Sequence, residues 1–346
     1  MIQSAIIASI VAITSWLASF GSRWLAIKTQ AIAQPSGGRR LHERPVPQLG
    51  GLGIGLTIFV ACAFALAGNW FAPSVKPLQL IGLMVGIGLL MLGGYLDDKY
   101  ELKPGWTAMF ALLAALAVVL TGSDIHAITN PFGRPFIIAW PWAPLLTIGW
   151  LLAITAATKF ADGLDGLVTG QTVIGAGVIA ALTLSPSFYQ PAMTGLCLVV
   201  AAAFLGFLPA NFNPAKQFLG ESGSTIAGFA LGFLAVASGA KVATALMAVG
   251  LPLADILFVM ANRVRQGRSP FKGDRSHLHF RLMDLGLSQR QAVYLLWTIS
   301  LLFGLVALGF QTRGKVVLLV GLIIVTLALP WILGLVASRK KACPSV

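Results

Sequence analysis

Apolar residues run along this chain in blocks, and polar residues collect between the blocks. Eleven blocks, at about 2–21, 49–69, 78–96, 106–121, 143–160, 166–184, 191–208, 223–239, 242–261, 291–310 and 315–337, come near the ~20 residues a helix needs to cross a bilayer. The pattern predicts an all-α, polytopic membrane protein with about 11 transmembrane helices. No repeat, linker or second soluble unit interrupts it, so 1–346 reads as a single integral-membrane domain. Composition agrees: 57% of residues are hydrophobic and 10% charged, with a mean hydropathy of +0.85, outside the range of soluble domains.

The charges orient the spans. No basic residue precedes the first block and Arg23 and Lys28 follow it, which predicts an uncleaved first span with the N-terminus outside. Alternation from there puts all of the 24 Lys and Arg on one side except Lys76, Arg134, Lys241, Arg313 and Lys315, and the positive-inside rule makes that side the cytoplasm. All of the 11 acidic residues except Asp124 emerge on the same side. The expected location is the plasma (inner) membrane, multi-pass, with the chemistry on the cytoplasmic loops. Orientation and contact with anionic headgroups account for much of the net charge of +13, and no nucleic acid partner is needed. Cys62 and Cys197 lie in apolar blocks and Cys343 in the basic tail, so the cysteines form no disulfide framework or metal-ligand spacing. The one long outer loop, about 122–142, holds Asn130, Pro131, Gly133, Pro135 and Pro141 with Trp140 and Trp142, which suggests a structured hairpin at the interface.

Four inner segments carry the chemistry. Gly93-Gly94-Tyr95-Leu96-Asp97-Asp98-Lys99 follows the third block, and two adjacent carboxylates at a membrane boundary need a shared cation, a retained proton or screening water. Asp162-Gly163-Leu164-Asp165-Gly166 places a glycine after each acid, which lets the backbone bend tightly and a ligand approach closely. One such pair would suffice for a turn, so two in register favour a ligand site. Asn211 through Ser224 leads polar groups, Phe218 and Glu221 into the eighth block, an arrangement suited to a diphosphate with its metal, while Ser222 or Ser224 would equally cap the helix. The last loop runs from Arg263 and Arg265 to Asp274-Arg275-Ser276-His277-Leu278-His279. Histidines two apart share no helical face, so both rings meet only on a bent or extended backbone. Without cysteine, and among arginines, the pair points to phosphate or sugar contact rather than zinc.

Taken in order, these segments resemble the polyprenyl-phosphate N-acetylhexosamine-1-phosphate transferases, glycosyltransferase family 4. The matching pieces are Asp97-Asp98, Asp162-Gly163-Leu164-Asp165-Gly166-Leu167, Asn211-x-x-Pro214-Ala215 through Phe218-Leu219-Gly220-Glu221-x-Gly223-Ser224, and Asp274-Arg275-x-His277-Leu278-His279, with Pro45 and Gly50-Gly51 similar to the first cytoplasmic motif. The likeness extends from about residue 35 to 290. The chain departs from the usual pattern with Glu221 in place of Asp, Ala156 and Lys159 in place of Asn, Phe280 in place of a third His, Gly105 in place of Lys and Gln34 in place of Asp.

The resemblance implies an enzyme that moves N-acetylhexosamine 1-phosphate from a UDP-N-acetylhexosamine to a polyprenyl phosphate such as undecaprenyl phosphate, releasing UMP. It implies Mg²⁺, with Mn²⁺ as an alternative, near Glu221, Asp97 and Asp98, and Asp162 in support. Asp97 has a second assignment, accepting a proton from the lipid phosphate or orienting it. Asp165 and Asn211 would meet the uracil or ribose and Phe218 would stack on the base. Arg265, His277 and His279 would face the diphosphate or sugar. Two rival readings are an ion-coupled transporter and a membrane prenyl-diphosphate phosphatase, but transporters set their acids near the midplane, whereas these stand at segment ends. Glycine-rich spans are compatible with a homodimer.

Overall fold

The computed structural model describes residues 2–35, 44–68, 70, 75–128, 130, 132–239, 242–269, 277–310, 313–326 and 328. Each of the eleven apolar blocks contains a helix. In chain order they are α1 (Ile2–Thr29), α2 (Gly50–Ala67), α3 (Pro77–Tyr100), α4 (Pro104–Leu120), α5 (Trp142–Ala161), α6 (Leu167–Leu184), α7 (Pro191–Asn211), α8 (Gly220–Ala237) and α9 (Val242–Arg265). A short α10 (Leu278–Asp284) precedes α11 (Gln289–Gly309), and residues 313–326 are helical again. The last block continues to 337, and its end lies outside the described residues, as do Glu43, Lys272, Asp274 and Arg275. Among the described residues eight of these helices are long and apolar enough to cross a membrane by length and composition, against the eleven spans expected, and α4 is a shorter apolar helix. The protein is an all-α polytopic membrane protein.

Several helices outrun their apolar blocks at the inner end. α1 continues to Thr29, where Lys28 lies over the Trp24 ring at 4.8 Å, a cation on an aromatic face that keeps the charged turn helical beyond the apolar stretch. α3 continues to Tyr100, so Asp97 and Asp98 stand on its last turn rather than in a loop. Neighbours on a helix point about 100° apart. The two carboxylates therefore leave the helix in different directions.

α8 is the axis of the bundle. Every residue from Ser222 to Ala235 is buried, and α2, α3, α5 and α6 sheathe it. Gly51 and Gly94 face its first turn at Gly223 and Ser222, which lets three helices converge at one end. Phe204, Phe207, Phe229 and Phe233 fill the adjoining core. At the opposite extreme α1 leaves Ile6, Ile10, Ile13, Leu17 and Phe20 exposed, the face a membrane helix offers to lipid.

Two small sheets close the ends. On the inner side β1 (Ile32–Ala33) pairs antiparallel with β2 (Val46–Pro47). The chain then docks on the segment before α8: Phe218 N–H donates to Pro47 O (2.9 Å), Gly50 N–H to Phe218 O (3.1 Å) and Gly51 N–H to Leu219 O (2.8 Å). The first N–H groups of α2 are thus satisfied by the main chain leading into α8. On the outer side β3 (Ala127–Ile128) pairs with β4 (Phe136–Ile137), the hairpin expected from the turn residues. Phe132, Phe136, Ile137, Trp140 and Trp142 stand exposed on and beside it.

The topology has a direct check. In a cysteine-free background, Arg134→Cys should react with a membrane-impermeant thiol reagent applied to intact cells, and Arg268→Cys should react only after the membrane is opened. The reverse pattern would invert the orientation.

Candidate functional site

The five inner connections meet in one place. A cavity of about 870 Å³ is lined by Arg44 and Gln48 from the first, Asp97 and Asp98 from the end of α3, and Lys159, Phe160, Asp162, Gly163 and Asp165 from the α5–α6 turn. Asn211, Asn213, Phe218, Gly220 and Glu221 come from the segment between α7 and α8, and His277, Phe280 and Gln289 from around α10. Of the residues singled out in the sequence, Asp97, Asp98, Asp162, Asp165, Asn211, Phe218, Glu221 and His277 all line it. His279 and Arg265 do not. Arg265 is exposed at the end of α9, and His279 is buried behind His277.

The adjacent acids have separate tasks. Asp98 Oδ1 accepts the N–H of Glu221 at 3.0 Å, so a carboxylate from α3 caps the N-terminus of α8 across the bundle. The serines expected to cap α8 do not: Ser224 Oγ donates back to Gly220 O at 3.1 Å and Ser222 Oγ is buried without a partner. A negative group at a helix N-terminus meets both the unpaired N–H groups and the positive end of the dipole. The other oxygen, Asp98 Oδ2, is buried at the cavity wall with no hydrogen-bond partner. Gly220 holds φ at +74°, and a methyl group there would collide with Asp98 Oδ2. Glycine alone fits both demands.

Glu221 projects from the same turn into the cavity and is met by Lys159. The Lys159 ammonium lies 2.5 Å from Glu221 Oε1 and also donates to Thr107 Oγ1 of α4 at 3.1 Å. Two of the departures from the family pattern noted in the sequence, Lys159 and Glu221, are therefore bound to each other. Among the described lining residues five carboxylates stand with two basic side chains, Lys159 and Arg44. Asp162 registers that excess: its carboxyl is pushed up to about 7, first by burial and then by Asp165 and Glu221.

Asp165 and Asn211 brace the walls. Asp165 Oδ2 accepts Asn213 Nδ2 and the Ala215 N–H, both at 3.0 Å, which ties the α5–α6 turn to the segment after α7. Asn211 Oδ1 accepts Thr169 Oγ1 (2.6 Å) and Gly166 N–H (3.2 Å), and its Nδ2 donates to Gln217 O (3.1 Å). Phe218 is half-buried and keeps a place on the wall.

The histidines do meet, and on the bent backbone that their spacing required. His277 is the extended residue before α10 (φ −65°, ψ 149°), and its ring lies 5.8 Å from that of His279 with 5° between the planes. The Asp-Gly turn explains why the second ring is hidden: a methyl group at Gly163 would strike His279 Nε2. What comes close to that glycine is the protein's own histidine. Burial draws the His279 imidazole down to about 4, with His277 adding to the shift and Asp255 opposing it.

The comparisons agree with the geometry. Residues 80–239 match the model of "Glycosyl transferase family 4". The chain is 33% identical over 355 residues to the decaprenyl-phosphate N-acetylglucosaminephosphotransferase of Mycolicibacterium smegmatis, covering 93% of this chain and 86% of the relative. The chain belongs to glycosyl transferase family 4. The Mycobacterium tuberculosis H37Rv decaprenyl-phosphate N-acetylglucosaminephosphotransferase is 31% identical over 363 residues (93% and 87% covered), and the undecaprenyl-phosphate alpha-N-acetylglucosaminyl 1-phosphate transferase of Yersinia pestis 28% over 302 (83% and 79%).

Two predictions follow from the packing. Gly220→Ala should destabilise the protein by about 1–2 kcal/mol from the left-handed backbone alone, with more from the collision with Asp98, read as a lower midpoint of thermal unfolding in detergent. For His279 the folded value lies below the ordinary 6.5, so its contribution is intact above pH 6.5 and is lost as pH falls toward 4. Wild type should therefore lose stability over that window relative to His279→Phe, by on the order of 3 kcal/mol at the limit, and parallel curves would show that the imidazole takes up its proton equally in the folded and unfolded states.

Proposed function

We propose that this protein transfers N-acetylhexosamine 1-phosphate from a UDP-sugar to a polyprenyl phosphate at the cytoplasmic face of the plasma membrane, releasing UMP. A phosphate oxygen of the lipid attacks the sugar-bearing phosphorus, the bond from that phosphorus to the UMP oxygen breaks, and UMP leaves with the electron pair. The observation that carries this reading is the convergence of five inner connections on one acid-rich cavity at the helix ends, in a chain whose relatives are named as N-acetylglucosamine-phosphate transferases. The three relatives named above are all transferases by name, not transporters or phosphatases.

Both reactants are anions, and the cavity that receives them is itself rich in carboxylates. Bringing phosphate oxygens beside these acids in a partly desolvated site is strongly repulsive without added positive charge. That requirement supports a divalent ion, Mg²⁺ or Mn²⁺. The residues fit one: Asp98 Oδ2 is an unpaired buried oxygen, and Asp97, Asp162 and Glu221 share its cavity. Among the described residues no three His, Cys, Asp or Glu side chains are grouped closely enough to hold an ion alone. Magnesium commonly takes one or two carboxylates and completes its shell with phosphate oxygens and water. Glu221 with one or both of Asp97 and Asp98 would hold or border it, and when bound it would neutralise charge on the reacting phosphates.

The side chains do the positioning on which phosphoryl transfer depends. Phe218 offers a ring to the uracil, Asp165 and Asn211 hold the walls that receive the nucleotide, and His277 faces the diphosphate or sugar. Lys159 supplies a fixed cation beside Glu221. Asp97, free of the capping task given to Asp98, would orient the lipid phosphate.

The decisive experiment supplies purified protein with undecaprenyl phosphate, Mg²⁺ and a panel of UDP-sugars, then measures UMP and identifies the lipid product. Glu221→Gln should abolish turnover, and Glu221→Asp should retain much of it. Wild-type rates in Glu221→Gln would remove that residue from the charge-neutralising set. Release of inorganic phosphate in place of UMP would overturn the transfer reaction itself.

A further inference from the structure

Among the described residues a buried acid that the cavity lining does not account for is Asp255. It lies on α9, outside the cavity lining, and is 6% exposed. A carboxylate buried in an apolar helix is costly unless both oxygens find donors. Here both do: Oδ1 accepts the Leu278 N–H at 2.8 Å, and Oδ2 lies 2.8 Å from His277 Nδ1. The first bond anchors the start of α10. The second holds a ring that lines the cavity.

His277 is restrained on more than one side. The Phe160 ring stacks near it at 6.2 Å with 22° between the planes, and the His279 ring at 5.8 Å with 5°. With Nδ1 engaged by Asp255, Nε2 is the ring nitrogen left for the cavity. A carboxylate at Nδ1 also sets the proton arrangement, because it accepts Nδ1–H and leaves Nε2 as the working atom. A backbone anchor alone needs only one of the two oxygens.

We infer that Asp255 is a positioning residue: through His277 it fixes an imidazole Nε2 on the phosphate-bearing part of the substrate. This rests on the transfer reaction proposed above. Asp255 touches no substrate, and its effect is carried entirely by the histidine.

The test is a double-mutant cycle of Asp255→Asn with His277→Gln, measured as UMP release by the full-length protein. Asparagine keeps an oxygen for the Leu278 N–H but turns an NH₂ group toward Nδ1, which inverts the proton arrangement of the ring. Asp255→Asn should retain the thermal midpoint, keep the UDP-sugar KM within about twofold and lower kcat tenfold or more, roughly the loss seen when a histidine's orienting partner is removed. On the His277→Gln background the same change should cost nothing further. Equal losses in both backgrounds, or a fall in stability with kcat unchanged, would make Asp255 a structural anchor and overturn the inference. If Asp255→Asn does not fold, Asp255→Glu enters the same cycle with the same criterion. A wild-type protein that forms no UMP overturns the transfer reaction together with this inference, whereas additive losses in an active protein overturn this inference alone.

Discussion

The inner end of this protein depends on one bond between helices, the carboxylate of Asp98 on α3 receiving the N–H of Glu221 at the start of α8. In a partly buried setting an acid at a helix N-terminus contributes up to about 2 kcal/mol, but its larger effect is geometric. It seats the most enclosed helix of the bundle, requires a glycine at 220, and turns the next side chain, Glu221, into the cavity. Because α2 also delivers its first N–H groups to the main chain before α8, three helices and two connections share one junction.

From that junction follows the electrostatic character of the site. Acids that would each be tolerable in water are brought together at the edge of an apolar bundle, where their mutual repulsion is less screened. The fold answers in part from within: Lys159 neutralises Glu221, backbone and amide donors hold Asp165, and His277 with the Leu278 N–H satisfies Asp255. The remaining demand for positive charge is what a substrate complex with a divalent ion would meet.

Rigidity comes from rings and braces as much as from charge. His277 is held among Phe160, His279 and Asp255, and Asn211 ties the start of α6 to the segment before α8. The side chains that face the cavity are thus supported by others that do not, and placement of reacting groups is the main resource of an enzyme acting on phosphates.

The sequence alone determined the apolar helices and the gathering of acids at one end, though not the short α10, because bilayer thickness and the cost of burying charge act on local composition, which is legible residue by residue. It also singled out most of the cavity wall, from Asp97 to His277. It did not reveal that Asp98 rather than a serine caps α8, and it gave His277 and His279 the same standing. It did not mark Asp255 as a partner of the loop, nor join Lys159 to Glu221. These were decided by side-chain directions on helices brought together from far apart, 123 residues for Asp98 and Glu221 and 62 for Lys159 and Glu221. A hydrogen bond reaches about 3 Å, so its partners are known only once packing has placed the helices to that precision.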